Sequence, residues 1–256
     1  LEVISIISKF LLVSICKKSR HVRSVHGITM HQLLKEGERM GFGFKLELWG
    51  DYALFTRPEF KVERVSYDVI TPSAARGIAE AIYWKPAIKY YIDKIHVFNE
   101  PEFSNIRRNE VSKKILSSDI KRLMEGNIKG KGYINTSDSI QQRASTVLRN
   151  VRYLIELHFE LTDMAGETDT VEKHYNMALR RMKKGQFYHM PCFGCREFPA
   201  NFRLVENEIP VSKLKGENDL GYMLYDMDFC DAEAITPMFF RAKMIDGVID
   251  LTNIDL

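Results

Sequence analysis

The chain has 256 residues, a formal net charge of +3, 45% hydrophobic residues and four cysteines. That apolar share suits a packed core in one large or two small domains. Four cysteines over this length exclude the disulfide framework of a small secreted protein and point to a reducing cytoplasm. The charge is unevenly placed: Ser104–Arg152 carries eleven basic and four acidic residues, and Tyr153–Leu256 carries eleven basic and eighteen acidic ones. A nearly neutral chain with one strongly basic stretch predicts a local anion-binding surface.

Residues 1–39 differ from the rest of the chain, with seven Lys/Arg against three Glu. Val3–Ile15 is apolar but interrupted by Ser5, Ser8 and Lys9, and is too short to span a bilayer. Its basic cluster comes after the apolar run, the reverse of a signal peptide, so no membrane association is expected. Lys35-Glu36-Gly37 before Met40 reads as a translated purine-rich ribosome-binding site. Met40 is therefore expected to be the native start and the leading segment an upstream read-through. N-terminal sequencing of the protein made from its own operon tests this, and a start at or before Met30 overturns it.

From Met40 the pattern sharpens. Phe44, Leu46 and Leu48 alternate with Lys45 and Glu47, which predicts a half-buried strand. Gly50-Asp51 is expected to break it before a second apolar run, Tyr52–Phe55. Val65–Ile70 reads as a short extended piece. Thr71-Pro72 opens a helix over Ser73–Trp84, with Thr71 as N-cap and Pro72 at the first position, and Pro86 stops it. Ile88–Phe98 is the next strand. Asn99–Ser145 is a long polar insertion holding Arg107-Arg108, Lys113-Lys114, Lys121-Arg122, Lys129 and Lys131, too long for a structureless connection in a compact core. Val147–Leu161 is a strong strand. Gly221–Phe229 and Met238–Ile249 are further strands, the latter turning at Asp246-Gly247.

Between them lies Asp169–Lys184, D-T-V-E-K-H-Y-N-M-A-L-R-R-M-K-K. Its start matches a capping box, with Asp169 accepting from the backbone of Glu172. Val171, Tyr175, Ala178 and Met182 form one apolar stripe at helical spacing. Lys173, Arg180 and Lys184 lie opposite it, and His174 and Arg181 share its edge. Lys173 and His174 sit near the positive end of the helix dipole, which attracts phosphate. His96, His158 and His189 read as ordinary strand or loop histidines. Cys192-x-x-Cys195 has zinc spacing, but Cys230 alone cannot complete a tetrahedral site, so no metal is expected.

The order from Met40 is strand, helix, strand, strand, helix, then more strand. That is an α+β chain in the split βαβ order of a ferredoxin-like, RRM-like fold. The expected organisation is a domain over 40–186, with the basic insertion at about 99–146, followed by a small β-rich unit over 187–256.

Four blocks carry a resemblance: Leu48-Trp49-Gly50-Asp51-Tyr52-Ala53-Leu54-Phe55-Thr56, Ile82-Tyr83-Trp84-Lys85-Pro86, Ile106-Arg107-Arg108-Asn109-Glu110-Val111 and Phe193-Gly194-Cys195-Arg196-Glu197-Phe198-Pro199-Ala200. From about Gly43 onward the chain resembles the CRISPR-associated RAMP proteins of the Cas-five family, type I-C (Dvulg) subtype. The resemblance implies a ferredoxin-like RAMP domain with a small C-terminal antiparallel β extension. It also implies an endoribonuclease that cuts precursor CRISPR RNA at the repeat hairpin and stays in the interference complex. The family's catalytic set falls on Tyr83, Lys173 and His174.

Those residue types suit RNA cleavage by the substrate's own 2′-hydroxyl. His174 is expected to act as general base, Lys173 to offset charge on the phosphorane, and Tyr83 to orient the 2′-hydroxyl or help move its proton. Products would carry a 2′,3′-cyclic phosphate and a 5′-hydroxyl. Arg107, Arg108, Lys113, Lys114, Arg180 and Arg181 are expected to meet RNA phosphates, adding affinity without reading sequence. No cofactor is expected. The expected partners are CRISPR repeat RNA and the other subunits of the complex, with double-stranded DNA left open. The alternative function is a non-catalytic subunit that holds the 5′ handle of the guide RNA.

Overall fold

The structure, a computed structural model, describes residues 43–60, 62–126, 133–228 and 235–254. The leading segment with Met40, Lys129 and Lys131 of the insertion, and Phe229 and Cys230 lie outside the described residues. In chain order the elements are β1 (Phe44–Ala53), β2 (Arg64–Val65), α1 (Pro72–Ile82), β3 (Ile88–Val97), β4 (Glu102–Val111), α2 (Ser117–Met124), β5 (Ile140–Leu161), α3 (Val171–Lys184), β6 (Asn201–Leu204), β7 (Glu217–Asp228), β8 (Thr236–Ile245) and β9 (Val248–Asp250). The α+β class holds. The strands form one sheet in the order β6-β1-β5-β3-β9-β8-β7, with β2 and β4 also paired to β5. Every pairing is antiparallel except β2 with β5.

Strand β5 is the spine. The half beyond Leu148 lies between β1 and β3, and the half before it pairs with β4. Alternation along β1 puts Phe44, Leu46 and Leu48 in register with Leu157, Ile155 and Tyr153 of β5, all buried. Helix α3 packs on this face, with Tyr175 stacked on Phe44 at 4.9 Å between ring centres. Helix α1 lies beside it, touching α3 and β3, and buries Ile78, Ala79 and Ile82. Each such isoleucine contributes about 1.5–3 kcal/mol relative to exposure. The alternate residues of β1, Glu47 and Trp49, stand on the opposite face.

Several boundaries differ from those the sequence predicts. Strand β1 runs straight through Gly50-Asp51. Gly50 is there for close approach rather than a turn, because a Cβ would meet Phe193 at 2.9 Å and the Pro199 carbonyl oxygen at 3.0 Å. The insertion is built largely as a hairpin: β4 pairs with the first half of β5, so β5 begins at Ile140. Of Val65–Ile70, only Val65 belongs to a strand. The predicted turn is present, with Asp246 at φ 49° and Gly247 at φ 79° between β8 and β9.

Candidate active site

Helix α1 starts as its residues dictate, with Thr71 Oγ1 accepting from Ala74 N at 3.3 Å and Pro72 in the first turn. It ends at Ile82. Tyr83 is extended (φ −151°, ψ 121°) while its N–H still bonds to Ala79 O, which turns its side chain out of helical register. Helix α3 starts one residue later than the capping box predicts. Thr170 is the N-cap, its hydroxyl accepting from Lys173 N at 3.2 Å. A threonine hydroxyl is an adequate cap, and the Asp169 carboxylate gains more from an ammonium than from an amide. Asp169 Oδ1 accepts from Lys173 Nζ at 3.0 Å, and Oδ2 accepts from Gly166 N at 3.1 Å.

The structure brings the three expected residues together around this carboxylate. Tyr83 Oη lies 2.7 Å from His174 Nδ1, although the two residues are 91 positions apart. His174 Nε2 lies 3.2 Å from Asp169 Oδ1, close but off the line of a hydrogen bond. The tautomer that suits both neighbours puts the proton on Nε2 and leaves Nδ1 to accept from Tyr83. Tyr83 and His174 are 1% and 2% exposed, whereas Lys173 stands at the surface. Burial pushes the Tyr83 phenol above its ordinary pKa, with Arg181 opposing, so Tyr83 keeps its proton at neutral pH. The Lys173 hydrogen bond, backed by the Gly166 N–H, holds Asp169 below the usual carboxylate range.

The six expected phosphate contacts separate into two groups. Arg107, Lys113, Lys114 and Arg180 are exposed. Arg108 instead turns inward, 2.6 Å from Glu197 and over the Phe198 ring. Arg181 joins the Tyr83–His174 cluster: Nη1 donates to Ile82 O at 2.9 Å and the guanidinium lies 5.2 Å over the Tyr83 ring. Asp169 and the inward turn of Arg181 are what sequence reasoning missed. The i,i+4 spacing of Asp169 and Lys173 was the signal available for the first.

The remaining motifs have structural work. His96 pairs with Glu156 at 2.7 Å and His158 with Asp93 at 2.9 Å. Cys192 and Cys195 are free thiols, their pKa values raised by burial. Among the described residues no group of three or more His, Cys, Asp and Glu is placed to hold a metal ion. Phe193, fully buried, accepts from Leu54 N at 3.1 Å and donates to Phe198 O at 2.8 Å. The Phe193–Ala200 block is thus a plug that locks the end of β1. Among the described residues no helix is long and apolar enough to cross a membrane.

Comparison with known proteins agrees with this architecture. The family model described as CRISPR-associated protein (Cas_Cas5) matches residues 43–252. The CRISPR pre-crRNA endoribonuclease Cas5d of Mannheimia succiniciproducens is 50% identical over 212 residues, covering 81% of this chain and 93% of that protein. The protein of the same name from Thermus thermophilus is 39% identical over 224 residues, covering 81% and 90%. A crystal structure of a CRISPR-associated protein superposes with a TM-score of 0.60 at 24% identity, covering 84% of this chain and 95% of that one. The molecule therefore falls among the CRISPR-associated proteins. Within them, the chain belongs to the Cas5 family, in its Cas5d branch, the branch of the type I-C subtype.

Proposed function

We propose that this chain cuts precursor CRISPR RNA at the repeat hairpin through attack of the RNA's own 2′-hydroxyl, and remains bound as a subunit of the type I-C interference complex. The relatives' names support the substrate. The observation that carries the chemistry is the line Tyr83–His174–Asp169 with Lys173 at its mouth. Because Tyr83 already occupies His174 Nδ1, the 2′-hydroxyl proton passes to Tyr83 Oη as the Tyr83 proton passes to Nδ1. Asp169 then faces the imidazolium. The exposed Lys173 ammonium offsets charge on the phosphorane, and the imidazolium gives its proton back, through Tyr83 or water, as the leaving 5′-oxygen takes one up. The resting site is closed, so RNA has to part the end of α1 from the start of α3.

The run β1, α1, β3, β5, α3, with β6 as edge strand beside β1, matches the β-α-β-β-α-β order of a ferredoxin-like fold. It supports reading a ferredoxin-like domain that starts near residue 40 and carries a basic insertion over about 99–146. Because β6 (Asn201–Leu204) is its last strand, that domain runs past residue 186 and the smaller C-terminal unit begins after Leu204. The strands β7, β8 and β9 then make up the smaller C-terminal unit, and the whole chain is read as working in a reducing cytoplasm. The burial of Tyr83 and His174 is the one observation favouring a non-catalytic subunit that holds the 5′ handle of the guide. Incubating the purified protein with its cognate repeat RNA in EDTA decides between them. Cleavage with a 2′,3′-cyclic phosphate supports the enzyme, and tight binding without cleavage supports the scaffold. A parallel binding assay tests double-stranded DNA.

Three further results are expected. Replacing exposed Arg107, Lys113 and Lys114 by Ala should flatten the slope of log affinity against log salt by about two units, at ~0.7–0.9 per phosphate. Arg108→Ala should instead lower the melting temperature slightly, because Phe198 loses the guanidinium packed over its ring, the pairing with exposed Glu197 counting for little. Asp169→Asn keeps the side-chain shape and removes its charge. Cleavage should slow at least about ten-fold, short of the ~10⁴ of a well-aligned orienting carboxylate. RNA binding should hold or tighten. Parallel losses in rate, binding and melting temperature would assign Asp169 to the fold alone.

A further inference from the structure

On the sheet face away from α3, strand register sets two rows of side chains next to each other. One runs Asn201, Trp49, Arg152 across β6, β1 and β5, and the other runs Arg203, Glu47, Leu154. Glu47 is 3% exposed. Its Oε1 lies 2.7 Å from both Nε and Nη2 of Arg152, and its Oε2 lies 2.6 Å from both Nε and Nη2 of Arg203. Burial works to raise the Glu47 pKa, but the Arg203 and Arg152 hydrogen bonds outweigh it and hold the carboxyl below its ordinary value. A buried carboxylate needs a partner, and one arginine suffices. The second leaves a surplus positive charge, and among the described residues neither Nη1 has a hydrogen-bond partner.

Both guanidiniums are also aligned by rings, Arg203 at 5.9 Å over Trp49 and Arg152 at 5.2 Å over Phe98. They border an open hollow of about 380 Å³, whose other walls include Trp49, Asp51, Asn99 and Asn150. That volume is at the low end for small-ligand sites, ~300–1,000 Å³. Trp49 stays 37% exposed. Asn150 on the rim holds a left-handed φ of 49°, uncommon outside glycine, and Asn99 Nδ2 donates to its carbonyl at 2.6 Å.

We infer that this hollow binds one unpaired nucleotide of RNA, with its base stacked on Trp49 and its phosphate on the outward Nη1 groups of Arg152 and Arg203. The inference rests on the RNA-cleaving function proposed above, and adds a contact on the opposite face of the sheet. An indole beside preset guanidiniums offers what a single base–phosphate unit requires, a π-face and a rigid cationic fork. Asp51 on the rim disfavours a continuous run of phosphates, so a splayed-out nucleotide fits and a duplex does not.

The chain has two tryptophans, so Trp84→Phe leaves Trp49 as the sole indole. Titrating that protein with repeat RNA should quench its fluorescence saturably, with the midpoint seen by gel shift. In the native background, Trp49→Ala should weaken RNA binding by about five-fold or more, the lower end of the stacking contribution. Arg203→Ala should lower the salt slope by about 0.7. Both residues are exposed, and melting curves check that the fold survives. RNA that binds while Trp49 emission stays constant overturns the inference and leaves the hollow to a protein partner. A protein that cuts RNA with a silent Trp49 sinks this site alone. One that quenches but never cuts sinks the cleavage reading and leaves this site standing.

Discussion

Protein carrying His174→Ala is expected to bind repeat RNA within a few-fold of the native protein and to cut it on the order of 10²–10⁴ times more slowly. Among the described residues the imidazole is what joins the Tyr83 hydroxyl to the Asp169 carboxylate, so its loss would interrupt the proposed proton path at its centre. Truncation also leaves the buried Tyr83 hydroxyl with only the weak acceptor Met177 Sδ at 3.6 Å, so a melting curve has to accompany the rate. His174→Gln, which can still accept from Tyr83, separates the two effects: it should restore stability without restoring cleavage. A sharper probe alters the RNA instead. A repeat with a single 2′-deoxy nucleotide just 5′ of the cut should bind and stay intact, because the attacking oxygen is gone. If the RNA's own 2′-hydroxyl attacks, and not a metal-bound water, EDTA should leave cleavage of the normal repeat unchanged. Cleavage of the deoxy substrate would mean that water attacks, and the roles given to Tyr83, Lys173 and His174 would fall.

Gly194→Ala should produce the largest loss of stability of any single methyl added to the chain's signature blocks. Gly194 has φ +80°, and a Cβ there would lie 2.0 Å from the Leu54 carbonyl oxygen. A left-handed alanine alone costs ~1–2 kcal/mol. Here the clash is with backbone that β1 holds in place, so the total should reach about 3 kcal/mol or more. For a chain of this size that corresponds to a fall in melting temperature of roughly 6–12 °C. A melting temperature within about 2 °C of the native value would show that Leu54 and the Phe193–Ala200 plug part freely.

This glycine shows why the site was only partly legible in the sequence. Local signals read well: Thr71-Pro72 opened α1, Asp246-Gly247 turned the last hairpin, and the alternation of β5 gave its core half. Gly50-Asp51 misled because a glycine needed for close approach looks the same in sequence as one needed for a turn. The hairpin arm was hidden because the half-buried side of β4 carries Ser104, Arg108 and Glu110 beside Ile106, so burial alternates there without the hydropathy alternation that marks a half-buried strand. Tyr83, Lys173 and His174 were named by resemblance, since nothing local ties an aromatic at a helix end to a histidine 91 residues later. The inward turns of Arg108 and Arg181 depend on Glu197 and Ile82, both distant in sequence, so charge patterning alone could not separate them from their exposed neighbours.

Because β5 is the spine of the sheet, the chain folds against its own order of synthesis. Strand β1 is made early, yet Phe44 pairs with Leu157 and Ala53 with Leu148. At ribosomal rates of about 5–20 residues per second, the wait between them is roughly 5–20 s. Through that interval the apolar row Phe44, Leu46 and Leu48 has no sheet partner and offers a sticky edge to other nascent chains. Closing so long a loop is also slow once both strands exist. The β7–β8 and β8–β9 pairs, by contrast, are local hairpins that can form as soon as they emerge. Chaperone demand during translation should therefore fall on the N-terminal half and end abruptly when the second half of β5 leaves the ribosome.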